Sequence, residues 1–211
     1  MSISSNLYVI AAICGNFWQE SQVNPGAWEN WTVGDPGFGL GQWTDNPPVV
    51  MRRTALFQWL SDHGYTRQDG EGQLQFLVYE DVWIPSLFQQ SAYNNLTEFF
   101  QSTSTNLSDL VLEWMHHWEG INDSSYQSRY AFASLALSAF QADSGVRQPW
   151  TSGNYRITQQ EALDNSMLIK DFFMGSGPLP PGPDEPTEEE ILAVVRMALK
   201  RRKRGGGVIV F

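Results

Sequence analysis

The stretch GDPGFGLGQWTDNPP, residues 34–48, holds four glycines and three prolines. No regular helix survives that density, because proline removes backbone donors and glycine raises the entropic cost of ordering. The flanking segments read differently. Upstream, Leu7, Ile10, Cys14 and Phe17 recur at helical spacing, which predicts a first helix from about Ser5 to Ser21, stopped at Asn24-Pro25. Downstream, helical patterns return in VVMRRTALFQWLSDHG, ended by Gly64, and in GQLQFLVYEDVW, ended before Pro85. Two more follow, LSDLVLEWMHHW and SSYQSRYAFASLALSAFQ, separated by Gly120. The expected fold class is mainly α, with one irregular or short-stranded insert wedged between helices.

Further along, Thr158 and Glu161 have the spacing of a capping box, and Leu163, Met167, Ile169, Phe172 and Phe173 supply an apolar side before Gly175. GSGPLPPGPDEP then has the composition of an extended, semi-rigid linker. A second capping box, Thr187 with Glu190, opens a short amphipathic stretch with acids in its first turn and basic residues in its last. Residues 187–211 hold six basic and three acidic groups, whereas the residues before them hold seven basic and twenty acidic ones. A body so acidic is a poor match for nucleic acid. The apolar run LYVIAAIC is too short to span a bilayer and has no basic residues before it, so no targeting or transmembrane segment is expected. Cys14, the single cysteine, allows no intrachain disulfide and reads as a small buried hydrophobe.

The chemistry-bearing residue is Glu20, in GNFWQESQVNP. It falls in the last turn of the first helix, beside Phe17 and Trp18. The negative end of the helix dipole and nearby rings both disfavour an ionised carboxylate, so an upward pKa shift is expected. A carboxyl that keeps its proton near neutral pH can donate it to a leaving oxygen, as glycoside cleavage requires. On position alone, a solvated helix-end glutamate is the better explanation of Glu20. The nine tryptophans suit a sugar-binding cleft as well as a core.

The residues that follow decide between those readings. Glu20, Ser21, Asn24, Pro25 and Trp28, then Gly37, Phe38, Gly39, Leu40, Gln42 and Trp43, resemble the phage tail-type lysozymes of the lysozyme-like superfamily. Related motifs occur in goose-type lysozymes and soluble lytic transglycosylases. The resemblance covers about residues 6–142. It implies a lysozyme-like catalytic domain over 1–150; beyond it, composition and patterning give an additional helix over 151–175, a linker over 176–186 and a basic amphipathic helix and tail over 187–211. The helix over Tyr155–Phe173 is similar to one that precedes the Glu-Ser helix in the family, which suggests a permuted element packing back near residues 5–20.

What the resemblance implies for function is a muramidase that cleaves the β-1,4 bond between N-acetylmuramic acid and N-acetylglucosamine. Glu20 is then the general acid, with Ser21, Trp28, Gly39, Gln42 and Trp43 as substrate-binding residues. For Trp43, packing beneath the glycine-rich hairpin competes evenly with stacking on sugar. A second carboxylate is less clear. The partner aspartate of chicken-type lysozymes falls at Gly37 here, leaving Asp35 as the best second catalytic candidate, although a turn role suits an Asp before Pro36 better. Glu29 and Asp45 are further candidates. Glu119 and Arg129 are expected to pair and brace two helices against the cleft. Adjacent His116 and His117 face different sides of a helix, so cleft or surface roles are expected for them and neither a metal nor any other cofactor is implied. The partners implied are peptidoglycan strands and, through the C-terminal helix, a virion protein or an anionic surface. The location implied is a phage particle, or host cytoplasm before lysis. The alternatives are a lytic transglycosylase that leaves 1,6-anhydro ends, and an inactive virion structural protein with a lysozyme fold.

Overall fold

A computed structural model describes residues 2–46 and 50–175. The linker and basic helix expected over 176–211 lie outside the described residues. Helix α1, Leu7–Ser21, forms the axis of the molecule. Asn6 caps its start by accepting from the Tyr8 amide, and Gln22 ends it in a left-handed conformation, its N–H bonded to the Phe17 and Trp18 carbonyls. Val9 through Cys14 are all fully buried. A helix apolar on every side must be surrounded, and α1 is, by α5 (Leu107–His117), α6 (Tyr126–Gln141) and α7 (Gln159–Met174).

The glycine-rich segment forms three short antiparallel strands in the order β1-β2-β3: β1 is Gly37–Phe38, β2 Trp43–Asn46 and β3 Val50–Met51. The register pairs Phe38 with Trp43 and Asp45 with Met51. Helices α2 (Arg52–Asp62) and α3 (Gly70–Glu80) pack behind the strands, and a short helix, α4 (Leu96–Phe100), precedes α5. The fold is mainly α, with its few strands confined to the insert.

Two close approaches fix the geometry. A Cβ on Gly15 would lie 2.4 Å from the Arg129 carbonyl oxygen and 2.7 Å from Ala133 Cβ, so α1 and α6 cross as closely as backbones allow. At Gly39, φ is +77° and a Cβ would meet Gln73 Oε1 at 2.5 Å. Gln73, buried inside α3, accepts from the Leu40 amide at 2.9 Å and donates to the Pro25 and Arg67 carbonyls, both at 2.7 Å. One side chain therefore holds the hairpin to the loop that follows α1.

Helix α7 opens with the capping box of Thr158 and Glu161 and packs on α1, α6 and α3. Its last turn receives the start of the chain, since the amides of Ile3 and Ser4 both donate to the Phe173 carbonyl at 3.0 Å. Cys14 is buried under this helix, and burial pushes its thiol up to about 12. Trp114 and Trp118 stack at 4.9 Å within the core. His116 and His117 are buried too, so the cleft or surface roles expected for them are not taken. The His117 ring sits 2.8 Å from the Ile84 carbonyl, and Phe88 lies against His116.

Replacing Gly15 with Ala forces a methyl into the α1–α6 contact. Overpacking of this kind should cost about 1–3 kcal/mol, read as a lower urea midpoint at unchanged m-value. An unaltered midpoint would show that the two helices are not in such close contact.

Candidate active site

A cleft of about 570 Å³ opens between the end of α1, the loop after it, the hairpin and the turn that links α5 to α6. Glu20 lines it, with its side chain 23% exposed. The backbone just past Glu20 is contorted. Gln22 and Val23 both adopt left-handed conformations, at φ 58° and 60°. That geometry is costly for a β-branched residue and persists only where the surroundings impose it. Here they do: Val23 is fully buried and its carbonyl accepts from Asn165 Nδ2 at 2.9 Å.

Behind Glu20 lies Arg129, 1% exposed. Its Nη2 donates to Glu20 Oε1 at 2.7 Å and its Nη1 to Glu119 Oε2 at 2.6 Å. Nη1 also reaches Asn16 Oδ1 at 2.9 Å, and Nε donates to Ser125 Oγ at 2.9 Å. A buried guanidinium is tolerated only with its donors satisfied, and residues from α1, α6 and the α5–α6 turn satisfy this one. Its pKa is raised, the two carboxylates outweighing burial, so the cation persists.

The two carboxyls also meet each other. The Glu119 side chain is hydrogen-bonded to Glu20, and its carboxyl is pushed well above the ordinary 4.5, first by burial and next by the Glu20 charge. Arg129 opposes that rise without cancelling it. One guanidinium thus faces two carboxyls, of which burial holds Glu119 toward its protonated form at the cleft floor.

Residues 4–140 match the family described as phage tail lysozyme. The chain belongs to the phage tail lysozyme family. It is also similar to Morphogenesis protein 1 of Bacillus phage B103, 32% identical over 114 residues. That stretch is 52% of this chain and 28% of the relative, so the match spans little more than a quarter of the relative's length.

In this member of the family the site residues expected from sequence divide into those on the cleft and those behind it. Glu20, Ser21, Trp28 and Gln42 line the cleft. Ser21 is nearly buried, its hydroxyl 3.0 Å from the Leu40 carbonyl, and ties α1 to the hairpin. Gln42 Nε2 donates to the carbonyls of Gly39 and Ala27, at 3.0 and 3.2 Å, and so braces the hairpin from within. Gly39 and Trp43 are buried and are not among the lining residues. Trp43 takes the packing alternative: its indole N–H donates to Glu80 Oε1 at 2.8 Å and no ring face is open.

Asp35 is not brought to the cleft lining. Its amide closes a turn on the Thr32 carbonyl, its own carbonyl accepts from Arg53 Nη1 at 2.6 Å, and its carboxylate faces Asn30. Asp45 is held by Arg53 and by the Thr54 amide and hydroxyl. Glu29 does line the cleft, its Oε2 accepting from the Gly37 amide at 3.0 Å. Sequence reasoning paired Glu119 with Arg129 but missed the contact of both with Glu20. Among the described residues no cluster of His, Cys, Asp and Glu could hold a metal ion.

The raised Glu119 carboxyl has a stability consequence. It binds its proton more tightly folded than unfolded, so its stabilisation is fully present below about pH 4.5 and is lost as pH rises through the raised value. Wild type should therefore lose stability relative to Glu119→Gln as pH climbs above about 4.5, in urea unfolding measured across pH. Parallel curves would contradict the raised carboxyl.

Proposed function

We propose that this chain is a muramidase in which Glu20 protonates the glycosidic oxygen of the bond between N-acetylmuramic acid and N-acetylglucosamine. The observation that carries this reading is the Glu20–Arg129–Glu119 cluster at the floor of a cleft walled by tryptophans. Arg129 fixes the Glu20 carboxyl to within a hydrogen bond. Glu119, whose burial favours its protonated form, stands hydrogen-bonded beside it as a proton source for the acid. General-acid assistance of this kind contributes on the order of 10²–10⁴ in rate. Trp28 and Trp31 offer ring surface for the sugars, and Gln42 with the hairpin backbone shapes the opposite wall.

For the second carboxylate we favour Glu29 over Asp35. Glu29 sits on the cleft with one oxygen engaged by a backbone amide, while Asp35 is committed to its turn. Glu29 could orient the attacking water or stabilise positive charge developing on the ring. If the muramyl 6-hydroxyl attacks instead of water, the same acid yields anhydro products.

Similarity to a morphogenesis protein of phage B103 favours a setting in the particle, where a wall-cleaving domain would open a passage during entry. Action on the host wall fits the family. The basic C-terminal segment could dock such a domain on a virion protein or an anionic surface.

Solubilisation of purified peptidoglycan checks the assignment. Glu20→Gln should lower the rate by at least about 100-fold, with reducing muramic ends in the wild-type products by mass spectrometry. Equal activity of wild type and variant removes Glu20 as the acid, and 1,6-anhydro ends convert the reading to a transglycosylase. On the same substrate Glu29→Gln should be impaired and Asp35→Asn close to wild type; the reverse order would restore Asp35 as the second acid.

A further inference from the structure

The seven cationic side chains among the described residues are not used alike. Arg52, Arg53, Arg129, Arg147 and Lys170 are each ion-paired with a carboxylate. Arg67 and Arg156 are not, and Arg67 lies over the Phe57 ring, off the cleft lining. Arg156 alone is both without a carboxylate partner and on the cleft. It is exposed, and its guanidinium carbon stands 5.7 Å from the centroid of the Trp31 ring, which lines the same cleft.

The placement of this pair is built. Trp31 follows Asn30 in a left-handed backbone, φ 59° after φ 50°, a conformation that ordinary residues adopt only under constraint. Asn154 supplies it. Its Nδ2 donates to the Trp31 carbonyl at 3.0 Å, and its Oδ1 accepts from the Trp28 amide at 3.2 Å. Asn24 holds the same segment from the other side, donating to the carbonyls of Gly153 and Tyr155 at 2.8 and 2.7 Å. Arg156 therefore rides on a backbone pinned at three successive residues, and the aromatic beneath it is pinned as well. A guanidinium stacked on an indole keeps its hydrogen-bonding edge outward and loses little freedom when it binds a planar anion.

Glu29, which lines the same cleft, is turned to the Gly37 amide. A lone fixed cation at the mouth of a groove, on a body with nearly three acids per base, draws one sign of ligand. We propose that Arg156 and Trp31 form a subsite for a carboxylate carried on the glycan outside the scissile bond. This rests on the reading of the cleft as a peptidoglycan groove and adds what the groove selects: strands bearing acidic groups rather than neutral polysaccharide. Two groups in peptidoglycan have that chemistry, the carboxylates of the peptide stem and the lactyl carboxylate of muramic acid freed of its peptide.

The test is a binding measurement in the Glu20→Gln background, so that cleavage is not needed. Cosedimentation with insoluble peptidoglycan stripped of wall polymers is compared for protein with Arg156 and with Arg156→Gln, at low ionic strength. Three forms are used: intact material, material whose carboxylates are coupled to methylamine, and glycan whose stems an amidase has removed. We expect Arg156→Gln to bind intact material about fivefold more weakly, and the two proteins to bind methylamidated material equally. A difference found on stem-free glycan assigns the lactyl carboxylate; one confined to intact material assigns the stem. Equal binding of the two proteins to both intact material and stem-free glycan overturns the subsite, as does an undiminished difference after methylamidation or no binding by either. Failure of the acid assignment is read separately, in the cleavage assay of Glu20→Gln.

Discussion

A single buried cation organises this molecule. Arg129 leaves α6 with its guanidinium out of reach of water, and such a group must have its donors met or the fold fails. Glu20 and Asn16 of α1, Glu119 beyond α5 and Ser125 at the start of α6 meet them. Because those partners come from different elements, the ion pair sets the angle and spacing at which the helices join. Gly15 makes that spacing possible from the other side, by removing the side chain that would hold α6 away. Removing one partner would leave charge stranded in the interior, a far larger penalty than the pair itself is worth as stabilisation.

The same arrangement explains why the candidate acid sits at a helix end. A residue in the last turn of α1 can be gripped from behind by the core and still project into a groove. Glu20 is in that position, with Arg129 behind it and the cleft ahead. The hairpin needs equally firm support, since its strands are only two to four residues long. Gln73 provides it, spending every polar atom of its side chain on distant backbone.

Much of the fold was legible in the sequence, where local physics leaves a local trace. The apolar period of residues 7–17, the glycines and prolines of 34–48 and the Thr158–Glu161 box each announce their element, and each element is there. The family motif drew attention to Glu20. What was not legible are the partnerships made across long stretches of chain. Nothing near Gln73 or Asn24 in sequence says that each is a hub for remote carbonyls, and a glutamine in a helix reads as surface by default. His116 and His117 misled for the converse reason: polar side chains were expected to seek water, and the interior found other contacts for them. Trp43 could not be settled from sequence, because burial against Glu80 depends on a helix thirty residues away. The Asp35 turn was visible in its Asp-Pro-Gly sequence, yet only the fold shows that its carboxylate faces Asn30 and that it is absent from the cleft lining.

The joint between Ile3, Ser4 and Phe173 bears on how such a body can be wired into longer polypeptides. The start of its first described helix meets the end of its last, with the backbone amides of Ile3 and Ser4 bonded to the Phe173 carbonyl. A chain that enters and leaves at one point can be spliced into a larger polypeptide like a bead on a loop, without pulling the body apart. The same adjacency means that the closing helix could be covalently joined ahead of the opening one by a very short connection, with no change in packing. Reordering of that kind is sterically cheap, so two relatives can carry equivalent helices in opposite chain order and still enclose the same groove.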